Sequence, residues 1–219
     1  MCKVKFRLLL VLSFVFLGAS ITTDVMAQGS IGTERPTTST SSYTLSKNTF
    51  QLEQGFAFWN DTTALDGLFR LAVSERGEIR LFTSYGSNST YLGAKVNLWK
   101  QSEYKPGISI QASFGNQFDL VNYRVSWSQK ITEKLGTTVN VGRADIYYAI
   151  LALGYSLGTK ISIFIEGVYD NKVQQFNAGL TYLINNETQL DLSGGVLTND
   201  SYFLALGVSR RFLYKSINN

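Results

Sequence analysis

Ten side chains carry most of the chemistry that this sequence can offer: Gln51, Glu53, Arg70, Glu78, Arg80, Lys95, Arg124, Glu166, Asp191 and Arg211. Each lies on the polar half of a segment whose alternate residues are apolar, and Gln111 belongs to the same set. The 219 residues include no histidine, and the one cysteine is Cys2. The set therefore lacks the commonest general base, the commonest metal ligand and a thiol nucleophile. No Ser–Lys or paired-Asp arrangement replaces them, which speaks against an enzyme. No cofactor and no metal are expected. What remains is electrostatics: fixed charges of both signs that must pair or line water, because isolated buried charges are expensive.

Those charges have to be positioned by strands. From Thr49 onward the hydrophobic period is two, and no stretch of ten residues carries a helical stripe. Twelve candidate strands follow at meander spacing: 49–59, 67–73, 78–85, 91–99, 107–114, 120–129, 136–142, 147–156, 160–169, 174–184, 188–196 and 201–212. The segments 67–73 and 136–142 show the weakest alternation. The links carry turn chemistry, as in "SERG", "SLGT", "DNK" and "NNE". Gly is abundant (19) and Pro rare (2), as suits a large sheet.

A sheet of twelve antiparallel strands must close or fold into a sandwich to hide its edges. Both architectures alternate polar and apolar faces. In 120–129, Val121, Tyr123, Val125 and Trp127 alternate with Asn122, Arg124, Ser126 and Ser128. The position of the aromatics separates the two. Phe50, Tyr85, Trp99, Phe114, Trp127, Tyr155, Tyr169, Tyr182, Tyr202 and Phe212 stand at the ends of the apolar faces. Membrane interfaces select rings there, whereas a sandwich core has no use for them at its rims. The expected fold is therefore all-β: a single closed antiparallel up-and-down transmembrane β-barrel of about twelve strands, its apolar face toward lipid. In the last strand this puts Arg211 inward and Arg210 on the lipid side, near an interface, where the cost of a charge is about 0–1 kcal/mol.

The N-terminus fits export. Lys3, Lys5 and Arg7 precede the apolar run 8–18, which is too short to span a bilayer as a helix, and Val25 and Ala27 provide small residues for a cleavage site. Residues 1–27 are expected to be a cleaved signal peptide, the alternative being a retained anchor helix. Loss of Lys3, Lys5, Arg7 and Asp24 would leave 17 basic and 15 acidic residues. This scattered, nearly balanced charge gives no stripe for a nucleic acid. Residues 28–48 read as an extended polar segment that either dangles or folds into the body, 49–212 as the barrel, and 213–219 as a tail.

The stretches "GTERPTTSTSSYTLSKNTFQLEQGFAF", "LFRLAVSERGEIRL", "YLGAKVNLW", "GLTYLINNETQLDLSGGV" and "YFLALGVSRRF" resemble a bacterial outer-membrane family, the MetA-pathway of phenol degradation or "transporter" family. Members show a Thr-Asp-Arg-Pro start, here Thr33, Glu34, Arg35 and Pro36. They also show a Gln-x-Glu first strand, here Gln51 and Glu53. An Arg-then-Glu-Leu-Arg hairpin follows, here Arg70, Glu78 and Arg80, and a late Gln-Leu-Asp strand, here Gln189, Leu190 and Asp191. Glu34 and Ala72 depart from the pattern, Gly being usual at the latter. The resemblance implies uptake of hydrophobic aromatic compounds for some members.

Pairing follows from antiparallel order. Arg211 should approach Asp191, Arg70 and Arg80 should share Glu53 and Glu78, and a belt of charge should form near the periplasmic end. Trp59, Tyr91, Tyr148, Phe164 and Phe203 should face inward, filling space or seating a ring-shaped solute. The expected location is the bacterial outer membrane, with its lipid as one partner and the barrel-assembly machinery, reading the C-terminal strand, as another. The expected function is a channel or transporter for a small solute. The alternative is a plugged structural or partner-binding barrel.

Overall fold

The period-two alternation becomes an unbroken antiparallel meander. A computed structural model describes residues 29–87, 89–115 and 120–214. The expected signal peptide and residues 215–219 lie outside them. The strands are β1 Thr49–Trp59, β2 Thr62–Ala72, β3 Gly77–Ser84, β4 Thr90–Trp99, β5 Gly107–Phe114, β6 Leu120–Lys130, β7 Leu135–Arg143, β8 Tyr147–Ser156, β9 Ile161–Asp170, β10 Gln174–Asn185, β11 Thr188–Leu197 and β12 Tyr202–Leu213. Each pairs with its neighbours in sequence, and β1 pairs with β12 to close the barrel. Closure removes every sheet edge.

The strand that differs most from its expected limits is β2, which begins at Thr62 rather than Gly67. Its first half, "TTALDG", shows little apolar alternation, so propensity gave no sign of it. The two-residue turn Asn60–Asp61 dictates it instead: Asn60 sits at φ 41°, and Thr62 pairs directly with Trp59. Gly67 on its outer face is covered by the Tyr85 ring, whose hydroxyl donates to Gln54 Oε1 at 2.8 Å. An outward amide is thereby satisfied without water. β12 runs one residue past the expected barrel limit, to Leu213, where Tyr214 N–H donates to the Asn48 carbonyl at 3.0 Å.

Burial is inverted relative to a water-soluble protein. Glu53 and Lys95 are wholly buried, while Val125, Leu204 and Leu206 are about half exposed (46 %, 50 % and 48 %). Tyr123 is also exposed, so no second layer covers this face and a sandwich is excluded. Apolar surface on this scale, with backbone groups paired strand to strand, suits an acyl surround. Arg210 folds back at the rim, donating to Thr188 Oγ1 and lying over the Phe212 ring at 5.9 Å.

Residues 29–48 do not dangle. They run through the lumen, touching in turn the β10–β11 turn, β1, β9, β7, β6, β4 and β3, before Asn48 (φ 60°) turns the chain into β1.

Candidate functional site: a charged lumen and its inserted segment

The first and largest group of lumen charges lies on one wall, β1 to β4. Strand pairing sets Arg70 beside Gln51 and Arg80, and Glu78 beside Lys95. Arg70 reaches Glu53 Oε1 at 3.0 Å and Glu78 Oε2 at 2.9 Å, and Arg80 reaches Glu78 Oε1 at 3.2 Å. Gln51 Nε2 donates to Glu53 Oε1 at 2.9 Å. The two arginines share Glu78 as expected, whereas Glu53 pairs with Arg70 and not with Arg80.

A third carboxylate completes the group, and it comes from the inserted segment. Glu34 Oε1 accepts from Lys95 Nζ at 2.8 Å and stands 3.6 Å from both Arg70 and Arg80. Three carboxylates thus face three cations in a buried site, the balance that makes burial tolerable. Burial pushes the Glu34 carboxyl up, but Lys95, Arg80 and Arg70 outweigh it and hold the group well below the usual carboxylate range. Glu53 and Glu78 also grip the segment backbone. Glu53 Oε2 accepts from the amides of Glu34 and Arg35, both at 2.9 Å, and Glu78 Oε2 from that of Leu45 at 2.8 Å.

Arg35 forms a second lock. Its guanidinium lies over Gly55 of β1 and Gly207 of β12, which pair with each other, in space that a Cβ at either position would occupy. Asp66 and Asp191 stand at the two ends of this notch, Asp66 accepting at 2.8 Å and Asp191 lying 3.7 Å away. Asp191 was expected to pair with Arg211. Its register partner on β12 is Gly207, four residues short of Arg211, so the two do not meet. Arg211 instead binds Glu187 in the β10–β11 turn at 2.6 and 2.9 Å. The charges therefore form a one-sided cluster, a notch and a rim pair, and not a belt.

The opposite wall holds the segment by its backbone. Glu166 accepts from the amides of Thr38 at 2.7 Å and Ser39 at 3.0 Å, steadied by Asn177 Nδ2 at 2.6 Å. Asn140 accepts from Thr40 N–H at 2.7 Å and donates to the Thr40 carbonyl at 2.8 Å. Ser128 Oγ accepts from Ser42 N–H at 2.8 Å. Arg124 Nη1 donates to the Thr38 carbonyl and to Thr40 Oγ1, and its Nε to Tyr148 Oη at 2.9 Å. Among the described residues Arg124 has no carboxylate partner.

Three cavities flank the segment, and two of them lie toward opposite rims. One, of about 500 Å³, is lined by Arg35, Arg80, Phe82, Tyr91, Gln111 and Arg124 among others, toward the rim opposite the Tyr214 end. The other, of about 370 Å³, is lined by Gln101, Ser128, Lys130, Gly136 and Gly154 toward the rim near Tyr214. Thr37 and Ser39 border both. The five inward aromatics point as expected and Phe82 joins them as a sixth: Phe82 stacks on Tyr91 at 6.0 Å, Trp59 on Phe203 at 4.7 Å, Phe164 covers Gly179, and Tyr148 holds Arg124.

Solved structures share this architecture. The fold is that of small outer-membrane porins. The chain aligns with the KdgM porin at TM-score 0.63 and 15 % identity, covering 74 % of this chain and 99 % of that one. It aligns with the NanC porin at 0.55 and 9 %, covering 73 % and 98 %, and with the Acinetobacter baumannii outer membrane protein Omp33 at 0.54 and 10 %, covering 76 % and 99 %. No family model and no curated protein matches the chain. The resemblance to the phenol-degradation family therefore rests on the quoted motifs.

Sequence reasoning missed Glu34, Arg35, Asp66, Asn140 and Glu187 as site residues. Glu34 and Arg35 had a signal: they are the only charged residues between 28 and 46. Asn140 lies between Val139 and Val141 on the polar half of its strand. Asp66 lay outside the expected limits of β2, and Glu187 lies in a turn.

Proposed function

We propose that this chain is an outer-membrane channel for a small solute, with the segment 29–48 forming its constriction. One observation carries the reading: two cavities reach in from opposite rims and, among the described residues, share only Thr37 and Ser39 of the segment in their linings. The extended segment thus stands between them. A packed interior, as in the narrowest barrels, leaves no such pair of vestibules. The rim that carries Tyr214 faces the periplasm in this reading. The family resemblance suggests hydrophobic or aromatic solutes, and the Phe82–Tyr91 stack is a wall suited to a ring.

The test is single-channel recording of the full mature chain in planar bilayers. Small, steady conductance steps are expected. A barrel that inserts yet passes no ions and, in liposome swelling, no solute is a plug. That second reading draws support from the grip on both sides of the segment, through Glu53, Glu78, Asn140 and Glu166.

A further inference from the structure

The larger cavity contains three features that the locks do not use. Arg124 is the first. Its Nε and Nη1 are committed to Tyr148, Thr38 and Thr40, which fix the plane of the guanidinium, while its Nη2 has no hydrogen-bond partner among the described residues. Tyr148 Oη in turn donates to Asn122 Oδ1 at 2.9 Å, so the support is itself held. A fixed cation with one free edge and, among the described residues, no acid paired with it is a seat for an anion, and the two carboxylates that line the same cavity, Glu34 and Asp66, are paired with Lys95 and Arg35.

Gln111 is the second. It pairs with Arg124 across β5 and β6, and its Oε1 is buried without a donor among the described residues. Such an acceptor carries a desolvation cost unless something donates to it. The third is the wall of Phe82 and Tyr91, with their rings stacked at 6.0 Å, and Leu68 beside it. Aromatic faces favour a flat apolar partner. All of these line one cavity of about 500 Å³, within the range of small-molecule sites.

We infer that this cavity binds a small aromatic carboxylate that also bears a hydroxyl group. The carboxylate is taken by Arg124, the hydroxyl donates to Gln111 Oε1, and the ring lies against Phe82 and Tyr91. The inference rests on the channel reading for its biological sense, since the cavity would be the entry vestibule. The binding itself does not require conduction.

The experiment is calorimetric titration of the full mature barrel in detergent micelles with 4-hydroxybenzoate, benzoate, 4-hydroxybenzyl alcohol and galacturonate. 4-Hydroxybenzoate should bind best. Arg124→Gln should weaken it about tenfold or more, as loss of a charge-assisted bond does. Because Arg124 also supports the segment, Gln111→Leu gives a second measure. It removes a buried unsatisfied acceptor, so the fold should hold, and the preference for 4-hydroxybenzoate over benzoate should vanish. Equal binding of the alcohol and the carboxylate, tighter binding of galacturonate, or a preference unchanged in Gln111→Leu overturns the inference. Binding without conductance in bilayers would refute the channel and leave the site. Conductance without binding would do the reverse.

Discussion

The two walls of the lumen hold the same segment by different means. On β1 to β4 the grip adds to its backbone bonds two particular side chains of the segment, Glu34 in the ionic cluster and Arg35 in the glycine notch shared with β11 and β12. On β6, β7 and β9 the wall grips the backbone at Thr38, Ser39, Thr40 and Ser42 and is indifferent to most of the segment's side chains. The first wall specifies which segment may dock and in which register. The second secures any extended chain so placed. A run of Ser and Thr serves the second purpose well, and one charged pair suffices for the first.

The sharpest way to break this contrast is Arg70→Met. It leaves Glu34, Glu53 and Glu78 facing two cations in a buried site. A loss of about 3–5 kcal/mol is expected in urea unfolding from lipid vesicles. A loss near zero would mean that the cluster is hydrated. Glu166→Gln on the other wall removes the charge but keeps the shape, and should cost about 1.5–3 kcal/mol. Faster amide exchange should be confined to Thr38, Ser39 and their neighbours; spread to Glu34 would show that the walls act as one unit. Gly55→Ala puts a methyl group where the Arg35 guanidinium lies, and should expel Arg35 at a cost of about 1 kcal/mol with the ionic cluster intact. Limited proteolysis within 29–36 would report it. Ser41→Ala should stay within about 0.5 kcal/mol, since no side-chain bond is lost.

The smallest expected effect is with pH. Glu34 is held below the ordinary carboxylate value of about 4.3, so its stabilising contribution is present above that value and is lost only as pH falls through the lower, folded-state value. The segment should stay docked from pH 7 down to about pH 5 in amide-exchange measurements. Release within that window would show that Glu34 is not paired as described.

The barrel could be read from the sequence because one rule governs its whole length. Alternation from Thr49 to Phe212 fixes which side chains share a face, and the faces follow from the rim aromatics. Neighbouring strands then bring Arg70, Glu53 and Glu78 together without knowledge of the shear. The same rule failed wherever position along the strand mattered. Asp191 and Arg211 face the same side of adjacent strands, yet the register sets Asp191 against Gly207. Nor does any periodicity govern residues 29–48, whose path depends on anchors in strands up to 182 residues away, as Gly29 and Arg211 are. Glu34 and Arg35 stood out only as charges in an otherwise neutral stretch.

The notch that receives Arg35 has a consequence for how the molecule is assembled. Gly55 and Asp66 belong to the first two strands, Gly207 and Asp191 to the last two, and the junction between them is where the hoop is sealed. Before the final strand arrives, half the seat is missing. Seating of Arg35 thus reports completion of the circle, and an unsealed intermediate leaves the stretch around Arg35 open to digestion.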